Sequence, residues 1–273
     1  MVVCVTNPQG TYRRNHGRGH SYYIDGQKVD GVTTILSRGL PKTALYNWAA
    51  RTAAGYAVDY WDELSGAPIT ERLERIADAP NSTRDKAGVR GTRVHALAER
   101  LVAGEQVTVP EDIRGHVEAC VSFIDAWNVE PMLTEFPVFS RKHKYAGSPD
   151  LCAWVDGHTE PVLIDWKTNA KGPYGESAFQ LAAYAGADFY LKPMPRSDLL
   201  PAPDFDWVET PLPEFAAHWV VWLRADGYDV YPMERGTKII KQFLYIQQTA
   251  QAAWDSRDYK GDALPVPAKE AAS

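Results

Sequence analysis

Several features that identify a protein class at once are missing from this sequence. The chain has three cysteines, Cys4, Cys120 and Cys152, with no CxxC spacing. An odd, scattered set gives no disulfide framework and suits a reducing compartment. No apolar run approaches the ~18 residues that indicate a membrane span, and the N-terminus has no apolar signal-peptide core. We therefore expect no membrane association and a cytoplasmic location.

The charge balance also lacks a nucleic-acid signature. The sequence has 35 acidic and 29 basic residues, a net charge of -6, whereas nucleic-acid-binding domains are usually basic. Only local basic clusters are therefore available for a phosphate backbone. One lies near the N-terminus and consists of Arg13, Arg14, His16, Arg18 and His20. The other is the segment Arg141–Lys144, in a predicted turn. Each fits either phosphate contacts or a solvated surface.

What the sequence does contain is a charged hairpin in its centre. The chain is 273 residues long, with 45% hydrophobic and 23% charged residues, an ordinary globular composition. Two apolar runs, Leu151–Val155 and Val162–Trp166, flank the turn-rich segment DGHTEP and predict a β-hairpin. Strand alternation places Asp165 and Lys167 on one face, and Asp150 precedes the first run. Because unpaired charge is costly inside an apolar strand, these groups indicate a metal site.

The remaining patterns predict helices and strands on both sides of the hairpin. The predicted helices cover residues 41–64, 69–79, 82–102, 110–128, 176–191 and 239–254. The predicted strands cover residues 21–24, 32–36, 132–140, 218–224 and 228–233. Ser82 with Asp85 resembles a capping box, and six prolines between 192 and 214 predict a long loop. The order indicates one α/β domain with a mixed sheet and an N-terminal helical elaboration.

Other polar residues occur at helical spacing. His95 and Glu99 are one turn apart, beside the apolar stripe of their predicted helix, and Gln180 and Tyr184 form a second such pair. A histidine in that position is either a metal ligand or a partly buried polar residue. Glu135 lies inside a predicted strand.

Four segments together resemble a known family. They are GTRVH (Gly91–His95), GSPD (Gly147–Asp150), IDWKT (Ile164–Thr168) and QLAAY (Gln180–Tyr184). Their order and separations resemble the RecB-type branch of the PD-(D/E)XK nuclease superfamily, especially the exonucleases encoded by phages. The resemblance spans roughly residues 91–231. It implies a restriction-endonuclease-like core, a mixed central sheet flanked by helices, with an N-terminal mainly helical elaboration.

The resemblance also implies an organisation and an activity. Residues 1–273 form a single nuclease domain, in which 1–80 are an N-terminal hairpin and helices, 81–257 the nuclease core and 258–273 a disordered tail. The implied activity is metal-dependent exonucleolytic hydrolysis of DNA, at double-stranded or single-stranded ends, in phage or bacterial recombination and repair. A recombinase or helicase is the implied protein partner. For a phage-encoded protein the location is the cytoplasm of the bacterial host.

The resemblance finally implies a role for each candidate residue. Mg²⁺ or Mn²⁺ is held by His95, Asp150, Asp165 and the Trp166 carbonyl. Lys167 orients or deprotonates the attacking water and stabilises developing phosphorane charge, and Gln180 and Tyr184 position Lys167 or the DNA strand. Glu135 and Glu99 form an outer layer of carboxylates around the metal ligands. Arg141, Lys142 and Lys144 contact the DNA. Iron–sulfur members of the family use four cysteines around the core, so we expect no cluster here.

Other readings remain open on the sequence alone. Asp150 also fits a turn cap, Asp165 and Lys167 a surface ion pair, and Tyr184 a core position. At the level of function, the rivals are a catalytically inactive nuclease fold serving as a DNA-binding or scaffold subunit, a restriction-type endonuclease, and a metal hydrolase acting on a small phosphorylated molecule.

Overall fold

The computed structural model describes residues 4–6, 10–16, 19–195 and 205–264. These residues form an α/β fold with two mixed sheets. The strands are β1 Cys4–Thr6, β2 Tyr12–His16, β3 Gly19–Ile24, β4 Gln27–Gly31, β5 Glu130–Thr134, β6 Val138–Ser140, β7 Tyr145–Gly147, β8 Leu151–Trp154, β9 Val162–Lys167, β10 Phe189–Pro195, β11 Phe205–Thr210, β12 Ala217–Arg224 and β13 Gly227–Pro232. The helices are α1 Val32–Gly39, α2 Thr43–Asp59, α3 Trp61–Ser65, α4 Ile69–Val102, α5 Arg114–Ala126, α6 Glu176–Ala185 and α7 Thr237–Asp255. None of the helices in these ranges combines the length and apolar character that crossing a membrane requires.

The smaller sheet has the strand order β13-β12-β9-β8-β5. The predicted central hairpin is confirmed, since β8 and β9 pair antiparallel with Leu151 opposite Ile164. The predicted hairpin of β12 and β13 is also confirmed. Strand β12 lies parallel to β9, which makes this sheet mixed and places β9 in its centre.

Side chains of β9 alternate between two hydrophobic layers. Val162, Ile164 and Trp166 face a core shared with α4 and α5, whereas Leu163 faces a core shared with α1, α6 and α7. Because successive strand residues point to opposite faces, Asp165 and Lys167 share the face of Leu163, as predicted. Burial of each large apolar side chain contributes roughly 1.5–3 kcal/mol, so the register that fixes this face is strongly specified.

The larger sheet has the order β1-β2-β3-β4-β7-β6-β10-β11. Its one parallel pairing among the described strands, β4 with β7, matches Gly31 with Ala146. The N-terminal strands are thereby joined to the segment that leads into Asp150. The expected boundary at residue 80 falls inside α4, so the N-terminal third is continuous with the rest of the fold.

Two N-terminal predictions are wrong. Residues 32–36 were expected to form a strand but begin α1, because Val32, Ile35 and Leu36 follow the helical spacing and all three are buried. The expected separate helices 69–79 and 82–102 are one helix, α4, which continues through Pro80. Ser82 therefore lies inside α4 and is not the N-cap of a helix. Pro80 lacks the N–H that would bond to the preceding turn, yet it is buried against its neighbours.

Two further predictions around the central hairpin are wrong. The single strand expected over 132–140 is split between the two sheets, because Glu135 adopts a positive φ of 45° and Pro137 follows it. The helix expected to reach residue 191 ends at Ala185, and β10 follows, paired with β11 from the expected loop. Pro193 and Pro195 of β10 pair with β11 but lie beyond the residues that pair with β6. The side of β10 that faces β6 is therefore unpaired at these positions among the described residues, and an unpaired strand edge tolerates proline. Residues 196–204 and most of the expected disordered tail lie outside the described residues.

A buried histidine in β12 predicts acid sensitivity. Burial, reinforced by the nearby Arg235 charge, lowers the pKa of His218 from 6.5 to about 4. The unfolded chain therefore binds a proton between these values while the folded chain does not. We expect the free energy of unfolding to fall by about 3 kcal/mol as pH drops from 6.5 to 4. Urea unfolding of the wild type and of His218→Leu at several pH values in this range measures the change. The same dependence of the unfolding free energy on pH in both proteins would contradict the prediction.

Candidate metal centre

The hairpin brings Asp150 next to the end of β9. Asp150 immediately precedes β8, and its Oδ2 accepts a hydrogen bond of 2.7 Å from the backbone N–H of Trp166. Because Leu151 lies opposite Ile164, the carboxylates of Asp150 and Asp165 come from directly neighbouring strand positions. The bond from Trp166 fixes the Asp150 side chain to the strand that carries Asp165 and Lys167.

Helix α6 adds an amide and a phenol to this pair of strands. The Lys167 Nζ lies 2.5 Å from Asp165 Oδ2 and donates to Gln180 Oε1 at 3.3 Å. The Gln180 amide nitrogen lies 2.8 Å from Asp165 Oδ1 and 3.1 Å from the Tyr184 hydroxyl. Asp165 is 2% exposed. The buried carboxylate and the partly exposed ammonium and amide therefore form one network in which each orients the next.

A second cluster surrounds Asp150 on its other side. Single ligand atoms of His95, Glu135 and Asp150 all lie within 4.8 Å of one another. The His95 Nδ1 is 3.6 Å from Asp150 Oδ2, too long for a strong hydrogen bond. His95 reaches the cluster from α4. The main chain also holds Glu135 close, because its N–H donates to the Asp150 carbonyl at 3.0 Å.

The resulting arrangement differs in detail from the expected ligand set. The expected set was His95, Asp150, Asp165 and the Trp166 carbonyl, with Glu135 in an outer layer. In the structure Glu135 belongs to the compact group, while Asp165 is engaged by Lys167 and Gln180. Glu99, the weaker candidate, lies near enough to raise the pKa of Glu135 electrostatically.

The basic turn after β6 makes structural contacts. Arg141 forms ion pairs with Asp25 at 3.0 Å and with Glu209 at 2.8 Å. The backbone N–H of Lys142 donates to Asp188. Lys144 has a positive φ of 55° and immediately precedes β7. The structure therefore joins Arg141 to the larger sheet, and the expected DNA contacts of Arg141, Lys142 and Lys144 stay a prediction.

The charges of the centre are strongly interdependent. Burial, with a smaller effect of Asp150, raises the pKa of Glu135 to about 7, against the opposing effect of Arg13. Burial raises the pKa of Asp165, and the nearby Asp150 adds to this effect. Burial opposes the charged form of Asp150 as well, but His95 and Lys167 outweigh it and lower its pKa. The anions of Glu135 and Asp165 are therefore disfavoured and the anion of Asp150 is favoured, and a cation close by would favour the charged form of all three.

The N-terminal strands contribute residues that the sequence alone did not assign to the centre. Arg13 donates to the Ser148 hydroxyl at 3.0 Å and lies 3.7 Å from Glu135. The Tyr22 hydroxyl is 3.0 Å from Ser148 and 2.9 Å from His20. Arg13 and His20 belong to the basic cluster noted in the sequence. Ser148 lies within the GSPD segment, which was a usable signal, but no pattern in the sequence indicated Tyr22.

No known protein-family model matches this chain. A search of curated proteins gives no match either. The family resemblance therefore rests on the four sequence segments alone.

The donor set fits a hard divalent cation. Carboxylate oxygens suit Mg²⁺, and an imidazole beside them suits Mn²⁺. Neighbouring ligands of an octahedral ion lie about 3 Å apart, close to the 3.6 Å between His95 and Asp150. In addition, the buried Oδ2 of Asp165 contacts Lys167 without hydrogen-bond geometry and has no hydrogen-bond partner among the described residues. His95, Glu135 and Asp150 would hold the ion, with Asp165 beside them.

This donor set predicts that Glu135 controls metal affinity. We expect millimolar Mn²⁺ to raise the melting temperature of the wild type, because a ligand bound only by the folded state stabilises it. Glu135→Gln removes one anionic ligand, and we expect the Mn²⁺ dissociation constant to rise by about tenfold or more. Calorimetric titration measures it. Glu130→Gln, at an exposed position of β5, is the matched control, and equal affinities of the two variants would contradict the prediction.

Proposed function

We propose that this chain is a metal-dependent DNA exonuclease with a restriction-endonuclease-like core. The observation that carries the proposal is the joint position of Asp150, Asp165 and Lys167 at neighbouring strand ends, beside His95 and Glu135. The central mixed sheet with helices on both faces supports the proposed core. Paired carboxylates and a lysine in that order suit hydrolysis of a phosphodiester.

A bound Mg²⁺ or Mn²⁺ supplies Lewis acidity toward the phosphate and lowers the pKa of a coordinated water. His95, Glu135 and Asp150 would hold this ion, and the hydrogen bond from the Trp166 N–H fixes the position of the Asp150 carboxylate. The reaction breaks one P–O bond of the DNA backbone and adds the elements of water. The new phosphate retains the oxygen of the attacking water, and the leaving oxygen gains a proton.

Lys167 stabilises the negative charge that develops on the phosphate oxygens. Burial opposes a charged lysine, but Asp165 and Asp150 outweigh burial and raise its pKa. The ammonium is therefore held protonated at neutral pH, and Lys167 acts as a hydrogen-bond donor to the phosphate or to the attacking water. Gln180 bonds both Asp165 and Lys167, so it fixes their separation, and Tyr184 in turn orients Gln180.

A nuclease assay with the purified chain tests the proposal. The substrates are end-labelled linear duplex, single-stranded DNA and closed circular duplex, each incubated with Mn²⁺, with Mg²⁺ and with a chelator. We expect metal-dependent release of nucleotides from linear DNA and an intact closed circle. Cleavage of the circle would instead favour a restriction-type endonuclease. Absence of metal-dependent degradation of every substrate would favour an inactive DNA-binding or scaffold subunit and would overturn the proposal.

A further inference from the structure

A cavity opens beside the reacting groups, between Lys167 and the end of α1. Its volume is about 280 Å³, and its walls include Lys42, Lys167, Asn169, Tyr174, Glu176 and Gln180. Lys167 and Gln180 belong to both the cavity and the metal centre. Anything bound in the cavity therefore lies next to the phosphate that the centre would cleave.

The loop between β9 and α6 forms one wall of the cavity. Hydrogen bonds within the loop and contacts with Trp222 restrain its conformation. The Trp222 indole N–H donates to the Asn169 carbonyl at 2.7 Å, and the Asn169 amide donates to the Gly172 carbonyl at 2.7 Å. Gly172 has a φ of 83° and lies against the Trp222 ring. These contacts hold the wall in place before any ligand arrives, which lowers the entropic cost of binding.

The lining offers an aromatic surface and a set of hydrogen-bonding groups. Tyr174 lines the cavity and is 51% exposed, and its carbonyl accepts a hydrogen bond from the Ser177 N–H at the start of α6. The buried Oδ1 of Asn169 accepts no hydrogen bond from the described residues. Lys42 and Glu176 pair at 3.2 Å, and both are partly exposed. The lining carries two ammonium groups and one carboxylate, and Asp165 behind Lys167 offsets one of the two positive charges.

We infer that this cavity binds one nucleotide of the DNA strand, with its base against Tyr174 and a phosphate near Lys42 and Lys167. The inference rests on the proposed nuclease function and adds a substrate-binding site to it. The exposed phenol supplies a stacking surface for an unpaired base. A base reaches such a cavity only when it is unpaired, so the site holds a strand end in single-stranded form.

Binding of deoxyadenosine 5′-monophosphate to the metal-free full-length chain, measured by calorimetry, tests the inference. We expect saturable binding, with deoxyadenosine and inorganic phosphate each binding at least tenfold more weakly. Tyr174→Ala is expected to weaken nucleotide binding about tenfold, because a stacked base is lost, while Tyr174→Phe retains it. Lys42→Met is expected to weaken the nucleotide but not the nucleoside. Tyr46→Ala, which changes a tyrosine 69% exposed on α2, is the matched control, and melting curves confirm that each variant is folded.

Equal affinity of wild type and folded Tyr174→Ala for the nucleotide would overturn the inference, and so would the absence of binding to wild type. Inorganic phosphate binding as tightly as the nucleotide would show an anion site without a base subsite, which also overturns it. Failure of the inference is distinguishable from failure of the proposed function. DNA hydrolysis without nucleotide binding contradicts only the cavity assignment, whereas nucleotide binding without hydrolysis contradicts only the nuclease assignment.

Discussion

Lys167→Met is expected to lower hydrolysis of linear DNA by at least about a hundredfold, the usual cost of removing one charge-stabilising donor from a reaction centre. The ammonium lies 2.5 Å from Asp165 and 3.3 Å from Gln180. No other cation among the described residues contacts the Asp165 carboxylate. Methionine keeps the unbranched apolar stem of lysine and is one atom shorter, while it removes the charge and the donors. Initial rates at saturating Mn²⁺ measure the loss.

A second readout separates a chemical role of Lys167 from collapse of the centre. Removal of a positive charge next to Asp165 and Asp150 increases the attraction of the site for a cation. We therefore expect Lys167→Met to bind Mn²⁺ at least as tightly as wild type, despite its loss of turnover. Lys171→Met, at an exposed position of the following loop, is the matched control. Wild-type turnover in Lys167→Met would remove the lysine from the mechanism.

Gly147→Ala is expected to disturb both stability and activity, because Tyr184 packs directly on this glycine. A Cβ at position 147 would lie 2.3 Å from Tyr184 Cε1 and 2.9 Å from Cδ1. The ring is buried and has to shift, and overpacking of this kind typically costs about 1–3 kcal/mol. Displacement of Tyr184 also releases Gln180, so we expect at least a tenfold loss of hydrolysis. Denaturant unfolding and initial rates measure the two effects.

Gly55→Ala is the control for Gly147→Ala. Gly55 is inside α2, and an added Cβ there meets nothing within 4 Å. Replacement of a glycine inside a helix by alanine is expected to stabilise the fold by about 0.5–1 kcal/mol, with unchanged turnover. Tyr184→Phe isolates the hydroxyl that bonds Gln180. Unchanged stability and activity in Gly147→Ala would mean that the ring does not restrain the centre.

Local patterns were sufficient to predict the hairpin that carries Asp165 and Lys167 and the helix that carries Gln180 and Tyr184. The apolar runs on both sides of DGHTEP gave the β8–β9 hairpin, and alternation gave the shared face of Asp165 and Lys167. The helical spacing of Gln180 and Tyr184 gave one face of α6, and these two side chains do hydrogen-bond to each other. Such predictions succeed because period and turn chemistry are properties of neighbouring residues.

Contacts between distant segments could not be predicted in the same way. Glu135 joins His95 and Asp150 because a positive φ breaks the expected strand at this residue. Arg13 approaches the centre because β4 pairs with β7, more than a hundred residues later in the chain. Segment 32–36 is helical although its β-branched residues favour a strand, which shows that burial of one helical face outweighs a weak intrinsic preference.

Diffraction from crystals soaked in Mn²⁺, with anomalous scattering recorded, tests the central claim most directly. We predict an anomalous peak between the side chains of His95, Glu135 and Asp150, with ligand distances near 2.1 Å, the value typical of small divalent ions. We also predict that the peak is lost in crystals of Glu135→Gln at the same Mn²⁺ concentration. Soaked crystals of the wild type with no peak at these three side chains would contradict the assignment of a metal centre, and with it the proposed mechanism.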